Sequence, residues 1–299
     1  MNSAASQRLS WGQKRELAQQ AARAANNLRL RLGYDLVNPV CPFQVCEQLG
    51  IKVRFTDGGF EGAYLPGNPN RINIVAHRPL PRRRFTCAHE IGHHEFGHGA
   101  SLDELRDDAD QYDGSNPDEF LANSFAAHFL MPVLGIRRAF SRRGISSADA
   151  TIDAFFIVAA EYGVGFDTLV THSAFALADI TQPRRKALLK ERAAYQKSIL
   201  QHRFGGNLVL IDRYYAAPTL DIEVGHWIGL PLEATSQSGI LARSVSETTA
   251  LFQAIQRGHA EIVIPDTNWN LTVRVTRKNF IGLAEYRFLD DDDDQTSEQ

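Results

Sequence analysis

Between His89 and His98 the chain places four histidines and two glutamates in ten residues, inside the stretch "RRRFTCAHEIGHHEFGHG" at 82–99. Residues four apart on a helix lie one turn apart on the same face. His89 and His93 therefore offer two imidazoles to one point, with Glu90 beside them. Two imidazoles and a carboxylate form the donor set of a divalent metal that keeps one coordination position open. Such an ion acidifies water, and Glu90 is placed to take the proton as general base while the resulting hydroxide attacks a polarised carbonyl. The pattern is HExxH, here "HEIGH", and its chemistry is peptide hydrolysis without a covalent enzyme intermediate. The competing reading is a polar helix face carrying solvated histidines. Against it stand Phe85, Cys87, Ala88, Ile91 and Phe96, which make the rest of the helix apolar and set the histidines on a partly buried element.

The third donor must come from elsewhere. The extended pattern HExxHxxGxxH fails, since Phe96 stands where the glycine is required, Gly99 stands where the histidine is required, and His98 is one position off. A carboxylate on a following helix is the other solution. Glu119 opens "EFLAN" 26 residues after His93, with Asn123 one turn later on the same face and able to hydrogen-bond a ligand histidine. Glu95, Glu104, Asp107, Asp108, Asp110 and Asp118 compete without that partner spacing. His94 and His98 form a second pair rotated by about 100°; a second ion there is the weaker reading, and they are expected on the back of the helix as polar residues or as hydrogen-bond partners that support the ligands. His128, nine residues past Glu119, should point about 180° away from it. Tyr112 is a candidate phenolic donor to an oxyanion. Cys87 is set aside as a ligand because residues two apart do not share a helix face. The run Arg82, Arg83, Arg84 reads as structural ion pairs before a buried helix, or alternatively as a steer for an acidic substrate.

These residues need elements to hold them. A helix is expected over 13–32, with Ser10 and Gln13 in capping-box spacing and Leu17, Ala21, Ala25, Leu28 and Leu32 along one stripe. A short helix from Pro42 to Leu49 leads into strands at 51–56, 61–66 and 71–76, a small sheet delivered just before the histidine-rich helix at 87–97. "DEFLANSFAAHFLMP" reads as a helix that Asp118 could cap and Pro132 ends, followed by helices at 148–161, 167–178 and from Pro183. Near Gly205 the pattern turns to short β-branched runs separated by Gly, Pro and Asn, with one helix candidate at 247–257. The fold class is therefore α+β: a mainly helical unit with a small sheet over 12–200, a β-rich domain over 206–289, and an acidic tail over 290–299. The strand "GAYLPG" is where an extended peptide could pair with a sheet edge, or else ordinary sheet blunted by Pro66 and Gly67.

A chain of 299 residues with 43% hydrophobic content supports a sizeable core, and a net charge of -3 with pI near 6.4 argues against a broadly basic nucleic-acid binder. Three cysteines do not make a disulfide framework, so a reducing, cytoplasmic setting is expected. No secretory leader and no run of 18 apolar residues is present, so no membrane partner is expected. Residues 156–177 could be read as a helix-turn-helix with Arg142, Arg143, Arg184 and Arg185 at phosphates. The second helix is apolar and almost free of base-reading side chains, which makes direct DNA recognition the weaker reading.

"RRRFTCAHEIGHHEFGH" followed by "EFLANSFAAHFLMP" resembles the ImmA/IrrE family of metallopeptidases, whose motifs run R-x-R-F-T-x-A-H-E-x-G-H and E-x-E-A-N-x-F-A-A-x-L-L-M-P. "NPVCPFQVCEQLGIKV" and "GAYLPGNPNRINIV" resemble its elements upstream of the catalytic helix. The resemblance covers about residues 12–180. It implies a minimal thermolysin-like scaffold, one Zn2+ held at the positions of His89, His93 and Glu119, and Glu90 as base. Leu121 stands where many relatives carry a second acidic residue, which removes a rival ligand. The resemblance also implies a protein substrate: a DNA-binding repressor or antitoxin-type regulator, here expected as a separate helix-turn-helix protein. A zinc-containing regulatory protein that binds such a regulator without cutting it is the alternative.

Overall fold

In the computed structural model, residues 8–104, 116–201, 206–246 and 248–289 are described. Helix α1 (Trp11–Arg31) begins where Ser10 and Gln13 close both bonds of the capping box, and it buries Ala21, Ala25 and Leu28. Helix α2 (Pro42–Gln48) leads to β1 (Lys52–Thr56), β2 (Phe60–Leu65) and β3 (Arg71–Val75). Strand β3 pairs parallel with β1 and antiparallel with β2. Helix α3 (Leu80–Phe96) starts earlier than its histidine pattern requires, because Pro79 and Pro81 favour a helix start.

Helix α4 (Pro117–Leu130) is capped by Asn116, whose side chain accepts from the Asp118 amide at 2.9 Å. The cap thus sits two residues before the expected Asp118, since Pro117 takes the first helical position. Helices α1 and α4 pack together, and the fully buried Arg29 ties them by donating to the carbonyls of Phe129 at 2.7 Å, Asp35 at 2.8 Å and Asn38. Helix α5 (Val133–Ser141), which the pattern did not announce, follows directly on Pro132. The Pro117–Ser141 run is long enough, and at a mean hydropathy of 1.3 apolar enough, to cross a membrane, but 67% of its most apolar window is buried inside the protein. Phe125, Phe129, Leu130 and Ile136 serve the core. Helices α6 (Ile152–Tyr162), α7 (Phe166–Phe175) and α8 (Gln182–Leu200) complete the helical part, α6 and α7 bent by 101° at Gly163 to Gly165.

Eight short strands follow: β5 (Leu208–Leu210), β6 (Thr219–Glu223), β7 (Trp227–Leu230), β8 (Leu241–Val245), β9 (Ala250–Ala254), β10 (Gly258–Val263), β11 (Asn270–Thr276) and β12 (Gly282–Leu283). All but β12 form a sheet in the order β5-β7-β9-β8 and another in the order β10-β11-β6. The α+β class holds. The helix expected at 247–257 does not: its described residues contain β9, a central strand paired antiparallel with both β7 and β8. A strand buried on both faces shows an unbroken apolar run, which periodicity cannot tell from a buried helix.

Strand β12 returns to pair with β1, so the first sheet runs β12-β1-β3-β2 and ends at the two-residue β4 (Asp103–Glu104). Leu208, Leu210, Trp227, Leu251, Phe280 and Ala284 belong to the same hydrophobic cluster as α1 and α3, while a second, smaller cluster fills the β-rich part. Arg83 of α3 forms a buried ion pair with Glu223 of β6.

Candidate metal centre

Two glycines let three elements meet at the site. A side-chain carbon at Gly92 would stand 3.1 Å from the Cα of Ala122. The glycine inside HEIGH therefore lets α4 approach α3 until a carboxylate in its first turn reaches the imidazoles. At Gly62 of β2, an added carbon would meet the Glu90 Oε1 at 2.5 Å and the Thr86 Cγ2 at 2.4 Å, so the strand lies directly against the Glu90 carboxylate.

The Nε2 atoms of His89 and His93 are 2.9 Å apart. Glu119 places Oε2 3.4 Å from the first and Oε1 3.5 Å from the second. A fourth donor joins them: Asp103 Oδ2 lies 3.0 Å from His89 Nε2. Ligating atoms of His89, His93, Asp103 and Glu119 all lie within 4.8 Å of one another. Donors about 2.0–2.1 Å from one tetrahedral ion stand roughly 3.3 Å from each other, so the set fits a zinc-sized cation.

The nitrogens facing away from that point are held in place. His89 Nδ1–H donates to Asn123 Oδ1 at 3.0 Å, which leaves Nε2 free to coordinate. His93 Nδ1 lies 3.0 Å from His98 Nδ1, and His98 Nε2 faces Asp118 Oδ1 at 3.6 Å. His93 Nδ1–H donating to His98 is the tautomer that frees His93 Nε2.

Glu90 is fully buried; its Oε2 accepts from Ser101 Oγ at 2.8 Å and its Oε1 has no hydrogen-bond partner. A buried carboxylate oxygen left bare beside four metal-type donors is a position awaiting a polar hydrogen. Burial pushes the Glu90 carboxyl up to about 8, the nearby His89 opposing and the Asp103 carboxylate adding to the rise. Burial also lowers His93 to about 4, reinforced by His89. For His89, burial works downward, but Asp103, Glu119 and Glu90 outweigh it and hold the imidazole well above its ordinary value. Burial works upward on Asp103, yet His89 and His93 bring it down to about 2. The carboxylates thus favour positive charge at His89, while burial and the His89 charge disfavour it at His93.

Of the expected residues, His89, Glu90, His93, Glu119 and Asn123 converge. His128 points away, its ring centroid 5.1 Å from that of His172, which bonds the Met131 carbonyl at 2.9 Å. Cys87 faces Cys46, sulfur to sulfur at 3.6 Å, behind the helix. Glu95 pairs with Arg31. Arg82 binds Glu61 at 2.7 Å, and Arg84 donates to the Val40 carbonyl at 3.1 Å, so the arginine run is structural. His94 meets the Tyr64 hydroxyl at 2.8 Å. Tyr112, Asp107, Asp108 and Asp110 lie outside the described residues.

Two assignments change. His98 is not on the back of the helix: Gly97 ends α3 in the left-handed conformation (φ 68°), and the chain turns back so that the His98 amide bonds the His93 carbonyl at 3.1 Å. Glycines at 97 and 99 carried that stop signal. Asp103 was missed because its reach depends on β4 pairing with β2, which a two-residue strand in a polar stretch does not announce.

Residues 46–171 match the family model of the IrrE N-terminal-like domain, a peptidase family. No curated protein matches the chain.

Proposed function

With residues 46–171 an IrrE N-terminal-like peptidase domain, we propose that the protein is a zinc-dependent endopeptidase that cuts a separate DNA-binding repressor or antitoxin-type regulator. The convergence of His89, His93 and Glu119 within 3.5 Å, with the bare Glu90 Oε1 beside them, carries this reading. Those three side chains would hold zinc, which would supply the Lewis acid for acidifying water and polarising a peptide carbonyl. Glu90 takes the proton and returns it to the leaving nitrogen. Its enclosure supports the return of that proton, since a carboxyl raised to about 8 holds a proton near neutral pH. Asn123 and His98 fix the imidazoles; Gly62 and Gly92 set the spacing.

The substrate class rests on the family. The arginines that flank α6 and α7 in sequence are engaged with the protein's own groups, which supports a route to DNA through the regulator: Arg142 and Arg143 pair with Glu161, Arg143 also with Asp212 at 2.7 Å, and Arg184 donates to the Ala150 carbonyl at 3.0 Å. Free thiols at Cys41, Cys46 and Cys87 support a reducing, cytoplasmic setting.

The test mixes the zinc-loaded protein with a co-encoded helix-turn-helix regulator. Glu90→Gln is expected to slow fragment production by about 10²–10⁴-fold with zinc content unchanged, while His93→Ala and Glu119→Ala lose the zinc. Equal cleavage by wild type and E90Q would remove Glu90 as base, and full zinc in E119A would remove Glu119 from the metal. One observation favours a second reading, a non-catalytic zinc-containing regulator: Asp103 supplies a fourth protein donor, and four protein donors are the mark of a closed structural site.

A further inference from the structure

Resting on the metallopeptidase reading, we infer that Asp103 is the fourth ligand of the resting metal centre and that the segment Ser101 to Asp103 keeps the peptidase latent. Three features of that segment coincide. Its backbone lies antiparallel along the outer edge of β2: the Ser101 amide donates to the Tyr64 carbonyl at 3.0 Å, the Tyr64 amide donates to Ser101 Oγ at 3.2 Å, and Asp103 stands opposite Gly62. That is the edge onto which an extended peptide would add as a strand. Ser101 Oγ donates to Glu90 Oε2 at 2.8 Å, so the hydroxyl engages the base. Asp103 Oδ2 sits 3.0 Å from the metal-facing nitrogen of His89.

One short piece of chain therefore fills the substrate edge, the base and the open coordination position together. A catalytic zinc needs three protein donors and a water; a fourth protein donor displaces the water. The arrangement is reversible in principle, because a peptide entering along β2 replaces the same backbone bonds that the segment gives up. Substrate binding is then competitive with residues 101–103. The apparent affinity for any ligand of the open position is reduced by the fraction of molecules in which Asp103 is withdrawn.

The experiment uses the full chain loaded with Co2+, whose visible absorption reports coordination, titrated with acetohydroxamate. Asp103→Ala is expected to bind one equivalent of cobalt and to take hydroxamate at least about ten-fold more tightly than wild type. Asp103→Asn, which keeps the shape and removes the charge, should shift in the same direction by less. Solvent-proton relaxation is read on the wild-type cobalt protein itself, where a closed centre shows no exchangeable water. An exchangeable water in wild type, or equal hydroxamate affinities in wild type and a folded Asp103 variant, overturns the inference. Cobalt bound only when His93 is present, with hydroxamate affinity unchanged, sinks latency and leaves the peptidase reading standing. Cobalt uptake that ignores His93→Ala overturns the peptidase reading and the inference with it.

Discussion

The helix pair α3–α4 and the β-rich part after residue 206 bury different chemistry. At α3–α4, His89, Glu90 and His93 are buried beside one another, and the two imidazoles take Asn123 and His98 as partners. The second hydrophobic cluster is built from aliphatic side chains and Phe252, and the buried polar groups of the β-rich part, Glu223, His226, Thr276 and Arg287, are spread along the chain rather than gathered on one helix turn. Polar burial costs stability unless it is compensated, so a region that carries so much of it marks where the chain has accepted that cost for chemistry. The β-rich part is nonetheless not an independent appendage. Strand β12 extends the first sheet, Phe280 packs on Phe55 with ring centroids 6.4 Å apart, and Glu223 neutralises Arg83 seven residues before Glu90.

That contrast can be broken at its joint. Deleting residues 206–299 removes β12, Phe280 and Glu223 together and is expected to cost more than about 5 kcal/mol, leaving a chain that no longer holds zinc at one equivalent. A deletion variant that melts cooperatively and keeps its zinc would show the β-rich part to be regulatory only. Arg83→Ala isolates one element of the joint. It takes the cation away from the buried Glu223, which keeps the Asn279 amide at 3.3 Å and His226 Nε2 at 4.0 Å, and a loss of about 3–5 kcal/mol is expected in denaturant unfolding, with zinc stoichiometry retained. A loss no larger than that of an exposed ion pair would show that Glu223 finds another partner.

Within the metal centre the effects are smaller and should appear as affinity. Asn123→Ala frees the His89 ring to rotate and is expected to weaken zinc binding by about 10–100-fold, read by competition with a chromophoric chelator, while stability of the metal-free protein changes little. Unchanged affinity would mean that packing alone orients His89. A separate, pH-dependent effect lies on the far face of α4. Burial lowers His172 to about 3, helped by His128, which burial lowers to about 4. Both rings are neutral in the folded protein at pH values where the unfolded chain, with its ordinary histidine value of 6.5, takes up protons. Stability is therefore full above about pH 6.5 and falls as pH drops toward about 4, by up to about 1.4 kcal/mol per pH unit for each ring. His128→Gln should flatten the acid limb of denaturation midpoint against pH, and an unaltered limb would assign acid sensitivity to other groups.

Local signals in the sequence were strong where one element settles the matter. The capping box at Ser10 and Gln13, the one-turn spacing of His89 and His93, and the Glu119–Asn123 spacing all survive in the structure because helix geometry fixes them within a few residues. Strand β9 was read as a helix because its apolar run is shaped by neighbours on both sides. His98 was misplaced by continuing a helix past its glycine.

Residue types and spacing alone name which side chains could bind a metal and which carboxylate stands beside them, and show that an α+β chain carries them. Those properties follow from donor chemistry and from periodicities internal to a single helix. Only the tertiary structure decided that Asp103 joins the donors, that residues 101–103 cover the β2 edge, and that Arg83 spends its charge on Glu223. Each of these depends on backbone pairing or burial between segments far apart in the chain. No local pattern encodes such a meeting, because its free energy comes from the surfaces that close around it.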